Sequence, residues 1–177
     1  MGKVHWQRGA PAAIREHDTL ERIDWSDVFT GTADGAVELS PQAWAAALGR
    51  DAPARIRLTL RSAAWTQRNI LGLRLQPRRS GHHVIGWKVA AAGDHWFRLE
   101  AEGWLGTAHL LLHVAGQEVS IGTLLRYDRR MAAIVWQPVS FFHRQVGIAL
   151  LGHLLTSPAL YARVNGDTRG PAVAPSP

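Results

Sequence analysis

The runs Trp96-Phe97-Arg98-Leu99-Glu100-Ala101-Glu102 and Glu118-Val119-Ser120-Ile121-Gly122-Thr123-Leu124-Leu125-Arg126-Tyr127 alternate with a period of two, and this alternation decides the fold. Successive side chains of a strand point to opposite faces. Phe97, Leu99 and Ala101 therefore share a core face, opposed by Trp96, Arg98 and Glu100. In the second run Val119, Ile121, Thr123, Leu125 and Tyr127 face inward, and Glu118, Ser120 and Arg126 face outward. Between the two, Ala108, Leu110, Leu112 and Val114 form a continuous apolar set, leaving Thr107, His109, Leu111 and His113 on the other face.

Extended outward, the same reading predicts five strands, at 83–91, 95–102, 104–115, 118–128 and 131–137. Their connections are Ala92-Gly93-Asp94, Glu102-Gly103, Ala115-Gly116-Gln117 and Asp128-Arg129-Arg130. These are too short for crossover helices, so the strands should form an antiparallel meander. Upstream, Ile23 to Phe29 reads as a first strand, closed by a turn at Gly31 and Gly35. Ser40-Pro41 caps and opens a short helix over Gln42 to Leu48, which Gly49 stops. A second helix starts at Asp51-Ala52-Pro53 and carries Ile56, Leu60, Ala63, Ala64, Gln67, Ile70 and Leu71 at helical spacing, with Gly72 as its stop. Its Arg57, Arg61 and Arg68 share a face, read as solvated.

Downstream, Pro138 is read as the opening of a long final helix that runs to Leu155 and ends at Ser157-Pro158. At 100° per residue, Phe142, Gln145, Val146, Ala149, Gly152 and His153 make one face, expected to look into the sheet, with His143 and Arg144 opposite and solvated. The expected class is α+β: an antiparallel sheet, two short helices after its first strand, and a long C-terminal helix. One domain should span 23–157, with an N-terminal arm at 1–22 and a Gly, Pro, Ala and Ser-rich disordered tail at 158–177.

Composition narrows the functional classes. The chain has 177 residues, 46% of them hydrophobic, which suffices for one packed core. It has no cysteine, which removes disulfides, thiolate metal sites and a thiol nucleophile, and fits a reducing, cytoplasmic compartment. No apolar run marks the N-terminus as a signal, and Val139 to Leu155 is too short and too polar to span a membrane. The formal charge of +6 invites a nucleic-acid reading, but the basic residues are dispersed and no recognition motif surrounds Arg78-Arg79 or Arg129-Arg130. A nucleic-acid partner is therefore not expected, and neither is a membrane span.

Nine histidines raise the question of a metal. His109 and His113 have a helical ligand spacing, but on a strand they are ~13 Å apart at ~3.3 Å per residue. His82-His83 lacks a completing set, so neither a metal nor a cofactor is expected. The chain has no Gly-x-Ser-x-Gly elbow, no P-loop and no dinucleotide glycine pattern. General acid-base chemistry remains, with His143 or His153 and Tyr127 as candidates if they face a pocket. Among eight tryptophans, Trp65, Trp87, Trp104 and Trp136 are placed either to fill a core or to line a cavity.

The order of strand, two helices, meander and long helix resembles the helix-grip or START-like architecture (Bet v 1-like, SRPBCC). More narrowly, residues 24–155 look like the DUF2867 family, on Gly122-Thr123-Leu124-Leu125-Arg126-Tyr127 and Pro138-Val139-Ser140-Phe141-Phe142-His143-Arg144. Arg126 and His143 fall at that family's characteristic polar positions. The resemblance implies a curved sheet wrapped around the last helix, with a cavity between them for polyketide, aromatic or lipid-like molecules. Trp87, Thr123, Tyr127, Trp136, Phe142, Ala149 and His153 would line it. The expected activity is binding of a small hydrophobic molecule. The alternatives are a cyclase or dehydratase that uses a histidine for proton transfer, and a structural domain with a filled core.

Overall fold

The computed structural model describes residues 3–33, 54–75, 83–84 and 86–156. Its elements in chain order are β1 (His5–Arg8), α1 (Ala12–Arg15), β2 (Trp25–Thr32), α2 (Ala54–Asn69), β3 (His83–Val84), β4 (Trp87–Ala92), β5 (Trp96–Glu102), β6 (Gly106–Ala115), β7 (Glu118–Tyr127) and α3 (Met131–Leu155). The chain is α+β. One seven-stranded sheet has the order β1-β2-β7-β6-β5-β4-β3, and every neighbouring pair is antiparallel.

The alternation that defined β5, β6 and β7 holds residue by residue. Phe97, Leu99, Ala101, Ala108, Leu112, Val114, Val119, Ile121 and Leu125 are buried in one large core under the helices. The opposite face has a smaller core of its own, made by Ile14, Val28, Leu111 and Leu124 and covered by Ala10, Leu20 and Ile23. Gly122 permits this close cover, because a Cβ there would lie 2.8 Å from Ile14 Cγ2. Within the expected arm, residues 3–22 are thus part of the sheet and its cover. His5–Arg8 pairs with β2 as the sheet's edge strand, and α1 packs on β6. The polar sequence of this segment reflects an edge strand's exposure: all four residues of β1 are exposed.

The predicted strand at 131–137 is instead the first part of α3, and Pro138 lies inside that helix. Proline removes its own amide and crowds the carbonyl four residues earlier, that of Ile134. Both Pro138 and Ile134 are exposed, so water can satisfy the freed carbonyl and the helix continues. The buried positions Ala132, Trp136 and Ser140, then Leu151, Leu154 and Leu155, define its inner face. Leu151 and Leu154 are 0% and 1% exposed, and burial of such side chains contributes roughly 1.5–3 kcal/mol each.

This inner face is not the predicted one. Phe142, Gln145 and Ala149 are exposed, whereas His143 points to the sheet. The residues before Pro138 supply the anchors that identify this face. Counted from Ala132, positions 132, 136, 139/140, 143, 147, 150/151 and 154 recur at intervals of three and four, which brings His143 inward. α2 matches its predicted span, with Arg61 and Arg68 exposed and a left-handed Gly72 (φ 63°) turning the chain beyond its end. The predicted helix at Gln42 to Leu48 and the tail at 158–177 lie outside the described residues.

Candidate functional site

α3 lies across β1, β2 and β7 and packs beside α2. Two glycines allow it to approach β2 closely: a Cβ on Gly147 would run into the Phe29 ring, and one on Gly31 would run into Leu155. Away from this contact, α2, α3 and the inner faces of β4 to β7 enclose a mainly apolar cavity of about 470 Å³. Such a volume lies in the ordinary range for small-molecule sites.

At the β2 side of the cavity sits a polar cluster. Trp25, Asp27 and Phe29 alternate onto the inner face of β2, and the register places Asp27 directly opposite Thr123 of β7. His143 descends from α3 onto this pair. Its Nε2 lies 3.1 Å from Thr123 Oγ1 and 3.4 Å from Asp27 Oδ1. The Asp27 side chain is 0% exposed and that of His143 is 20% exposed. The other carboxylate oxygen accepts a long hydrogen bond of 3.4 Å from Trp6 Nε1. Oδ1 makes no hydrogen bond among the described residues, so its contact with the imidazole is at ion-pair distance without hydrogen-bond alignment.

Aromatic rings brace the imidazole. Trp136, Trp25 and Phe29 lie 5.4, 5.8 and 5.8 Å from it, centroid to centroid, and Trp25 meets Trp136 edge-on at 4.9 Å. A buried carboxylate in such surroundings is costly unless a positive or hydrogen-bonding partner meets it. A proton on Nε2 is donated to Thr123 Oγ1, with the acceptor-only carboxylate of Asp27 beside it, and leaves Nδ1 outside that pair. Trp136 Nε1 is also buried without a hydrogen-bond partner among the described residues. On the opposite wall Gln67 Oε1 accepts from Trp87 Nε1 at 3.3 Å, which fixes the indole against α2.

Of the residues expected from sequence, Trp87, Thr123, Trp136, Phe142 and His143 do line the cavity. Three do not. Tyr127 lies at the end of β7 and borders a separate niche of about 30 Å³. Ala149 is exposed on the outer side of α3, and His153 is about 15 Å further along the helix than His143 at 1.5 Å per residue. His153 therefore cannot act with His143 on one small molecule. Tyr127 is a poor proton-transfer group: burial, reinforced by the Asp24 charge, pushes its phenol up to about 12. Asp24 itself accepts from the Tyr127 amide at 2.7 Å and from Arg22 at 2.8 Å. Burial works to raise that carboxyl, but these hydrogen bonds and the Arg22 and Arg126 charges together hold it below the usual carboxylate range.

Asp27 was missed by sequence reading. Its signal was an acid on the same strand face as Trp25 and Phe29, where alternation alone would call for an apolar residue.

A second buried polar group lies on the opposite face of the sheet. His109 Nδ1 is 2.5 Å from Asp18, His109 Nε2 is 3.5 Å from Glu100, and Arg98 bonds Glu100 at 3.1 Å and the His17 carbonyl at 2.7 Å. These bonds tie the 9–23 segment down onto β5 and β6. Among the described residues no group of three or more His, Asp or Glu side chains has metal-site geometry, and no helix is long and apolar enough to cross a membrane. Compared with known proteins, the chain matches no family model, no curated protein and no solved structure.

Proposed function

We propose that the protein binds a small, mostly apolar molecule in the cavity between the sheet, α2 and α3, with a polar group on that molecule directed to the imidazole of His143. The cavity of about 470 Å³ carries this reading. A structural domain with a filled core would have close-packed this space, since interiors approach crystal density. The imidazole of His143, with Thr123, Thr66 and Gln67, gives a mainly apolar chamber a few polar groups, the arrangement by which apolar sites orient a ligand. Polyketide, aromatic and lipid-like molecules with a polar group such as a hydroxyl fit that description. The same geometry supports a helix-grip architecture and kinship with the DUF2867 family, as proposals that rest on the sheet, the long helix and the inward His143.

The test is incubation with a panel of fatty acids and aromatic polyketides, followed by native mass spectrometry and extraction. The wild-type protein should retain a ligand, and Leu110→Trp, which projects bulk into the cavity, should lose it while keeping its circular dichroism spectrum. Failure of every panel member to bind, or equal retention by the filled variant, would count against the cavity.

The Asp27–His143 pair favours a second reading, in which the imidazole exchanges a proton with the bound molecule through Nδ1 while Asp27 and Thr123 hold the ring. Recovery of a chemically altered ligand, abolished in His143→Gln, would establish catalysis. Recovery of unaltered ligand would leave binding alone.

A further inference from the structure

The two helices above the cavity have an unusual surface. The 16 residues of α2 and the 25 residues of α3 contain no Asp or Glu. Arg61 and Arg68 are exposed on α2, and the exposed Arg129 and Arg130 precede α3. Arg61 and Arg68 pair with no carboxylate among the described residues. The carboxylates of the described chain all lie in the strands, the N-terminal segment and the loops.

The same layer holds most of the large apolar side chains that are exposed. On α2 they are Leu58 at 66% and Trp65 at 61%, and on α3 Ile134 at 74%, Phe141 at 59%, Phe142 at 68% and Ile148 at 39%. Leu58, Arg61, Trp65 and Arg68 recur at intervals of three and four, as do Ile134, Pro138, Phe141, Gln145 and Ile148, so each helix presents one continuous outer stripe. Leu58 of the α2 stripe and Phe142, exposed beside the α3 stripe, also line the cavity.

We propose that this acid-free face docks on an anionic lipid bilayer. Apolar and aromatic side chains on a surface helix enter the boundary between headgroups and acyl chains, while arginines beside them meet anionic headgroups. The charge pattern selects this occupant over others. A second copy of the same face would set unpaired arginines against arginines. A nucleic acid would pair the arginines but would leave Leu58, Ile134 and Ile148 without apolar partners. The inference stands on the surface alone and does not depend on what the cavity holds.

Co-sedimentation of the intact protein with vesicles of phosphatidylcholine, with and without phosphatidylserine, tests it. The protein should sediment only with the phosphatidylserine vesicles, and less as salt is raised. Arg61→Gln and Arg68→Gln should each weaken binding by about fivefold. Trp65→Glu and Phe141→Glu should abolish it with the urea midpoint unchanged, because both side chains are exposed. The proposal is overturned by no sedimentation with phosphatidylserine vesicles, or by equal, salt-independent binding to phosphatidylcholine. It is equally overturned if the protein is a dimer that Phe141→Glu dissociates, or if the arginines retain duplex DNA whether or not Phe141 is replaced.

Discussion

Replacing His143 with phenylalanine isolates the interaction on which the site depends. The ring volume is nearly kept, so the aromatic cage of Trp25, Phe29 and Trp136 stays filled, but Asp27 loses the imidazole placed against Oδ1, its ion-pair partner when protonated. Unit charges 3.4 Å apart attract by roughly 5 kcal/mol at an effective dielectric near 20. Desolvation of the fully buried carboxylate offsets much of this, and removal of one partner from a buried pair costs about 3–5 kcal/mol because the other is stranded. His143→Phe should therefore lose about 3–5 kcal/mol in urea unfolding read by linear extrapolation.

In an Asp27→Asn background no charge remains to be stranded, and the same replacement should cost at least about 2 kcal/mol less, a coupling well above additivity. Single-mutant losses that sum to the double-mutant loss within about 0.5 kcal/mol would refute the reasoning. The two side chains would then be neighbours without an energetic bond.

Gly147→Val forces a branched side chain into the Phe29 ring and should destabilise the protein by about 1–3 kcal/mol in the same unfolding assay. In a Tyr161→Phe background the tyrosinate absorbance should appear with a midpoint of about 12. Because the unfolded phenol ionises near 10, stability should fall as pH rises from about 10 towards 12, and Tyr127→Phe should remove that fall. Burial, then the neighbouring His17, lowers the His113 imidazole, so the unfolded chain takes up its proton first. Stability is then complete above about 6.5 and should decline as the pH drops below it, a decline that His113→Gln should reduce.

The strands were legible because a half-buried sheet writes its two faces into alternate positions. Phe97, Leu99 and Ala101, and Val119, Ile121 and Leu125, all lie where alternation put them. The rotation of α3 was not legible from Pro138, because an exposed proline in a helix looks in sequence like a helix start. Only the water-facing Ile134 carbonyl makes the interior position tolerable. With 131–137 read as a strand, the buried anchors Ala132 and Trp136 that mark the inward face of His143 and Gly147 were left out of the helix. Thr123, Trp87 and Trp136 were found because strand parity or aromatic character marks them locally. Asp27 was not, since what makes it a site residue is its pairing with a helix more than a hundred positions later. The outer-face core was also hidden, because Leu111 reads as outward until the 9–23 segment is laid over it and Leu124.

The polar cluster and the apolar cavity have a common origin. α3 reaches β2 closely because Gly31 and Gly147 offer no Cβ to Leu155 and Phe29, and this contact presses His143 onto Asp27 and Thr123. A rigid helix that touches one side of a sheet this closely can stand off the other side, and the gap over β4 to β6 is the cavity. Trp25, Phe29 and Trp136 wedge the transition, shielding the carboxylate while leaving the imidazole partly accessible. A larger residue at 147 should therefore act on both ends together, lifting His143 from Asp27 and reshaping the chamber. Stability and ligand retention should fall in step in Gly147→Val, whereas Leu110→Trp should remove retention alone.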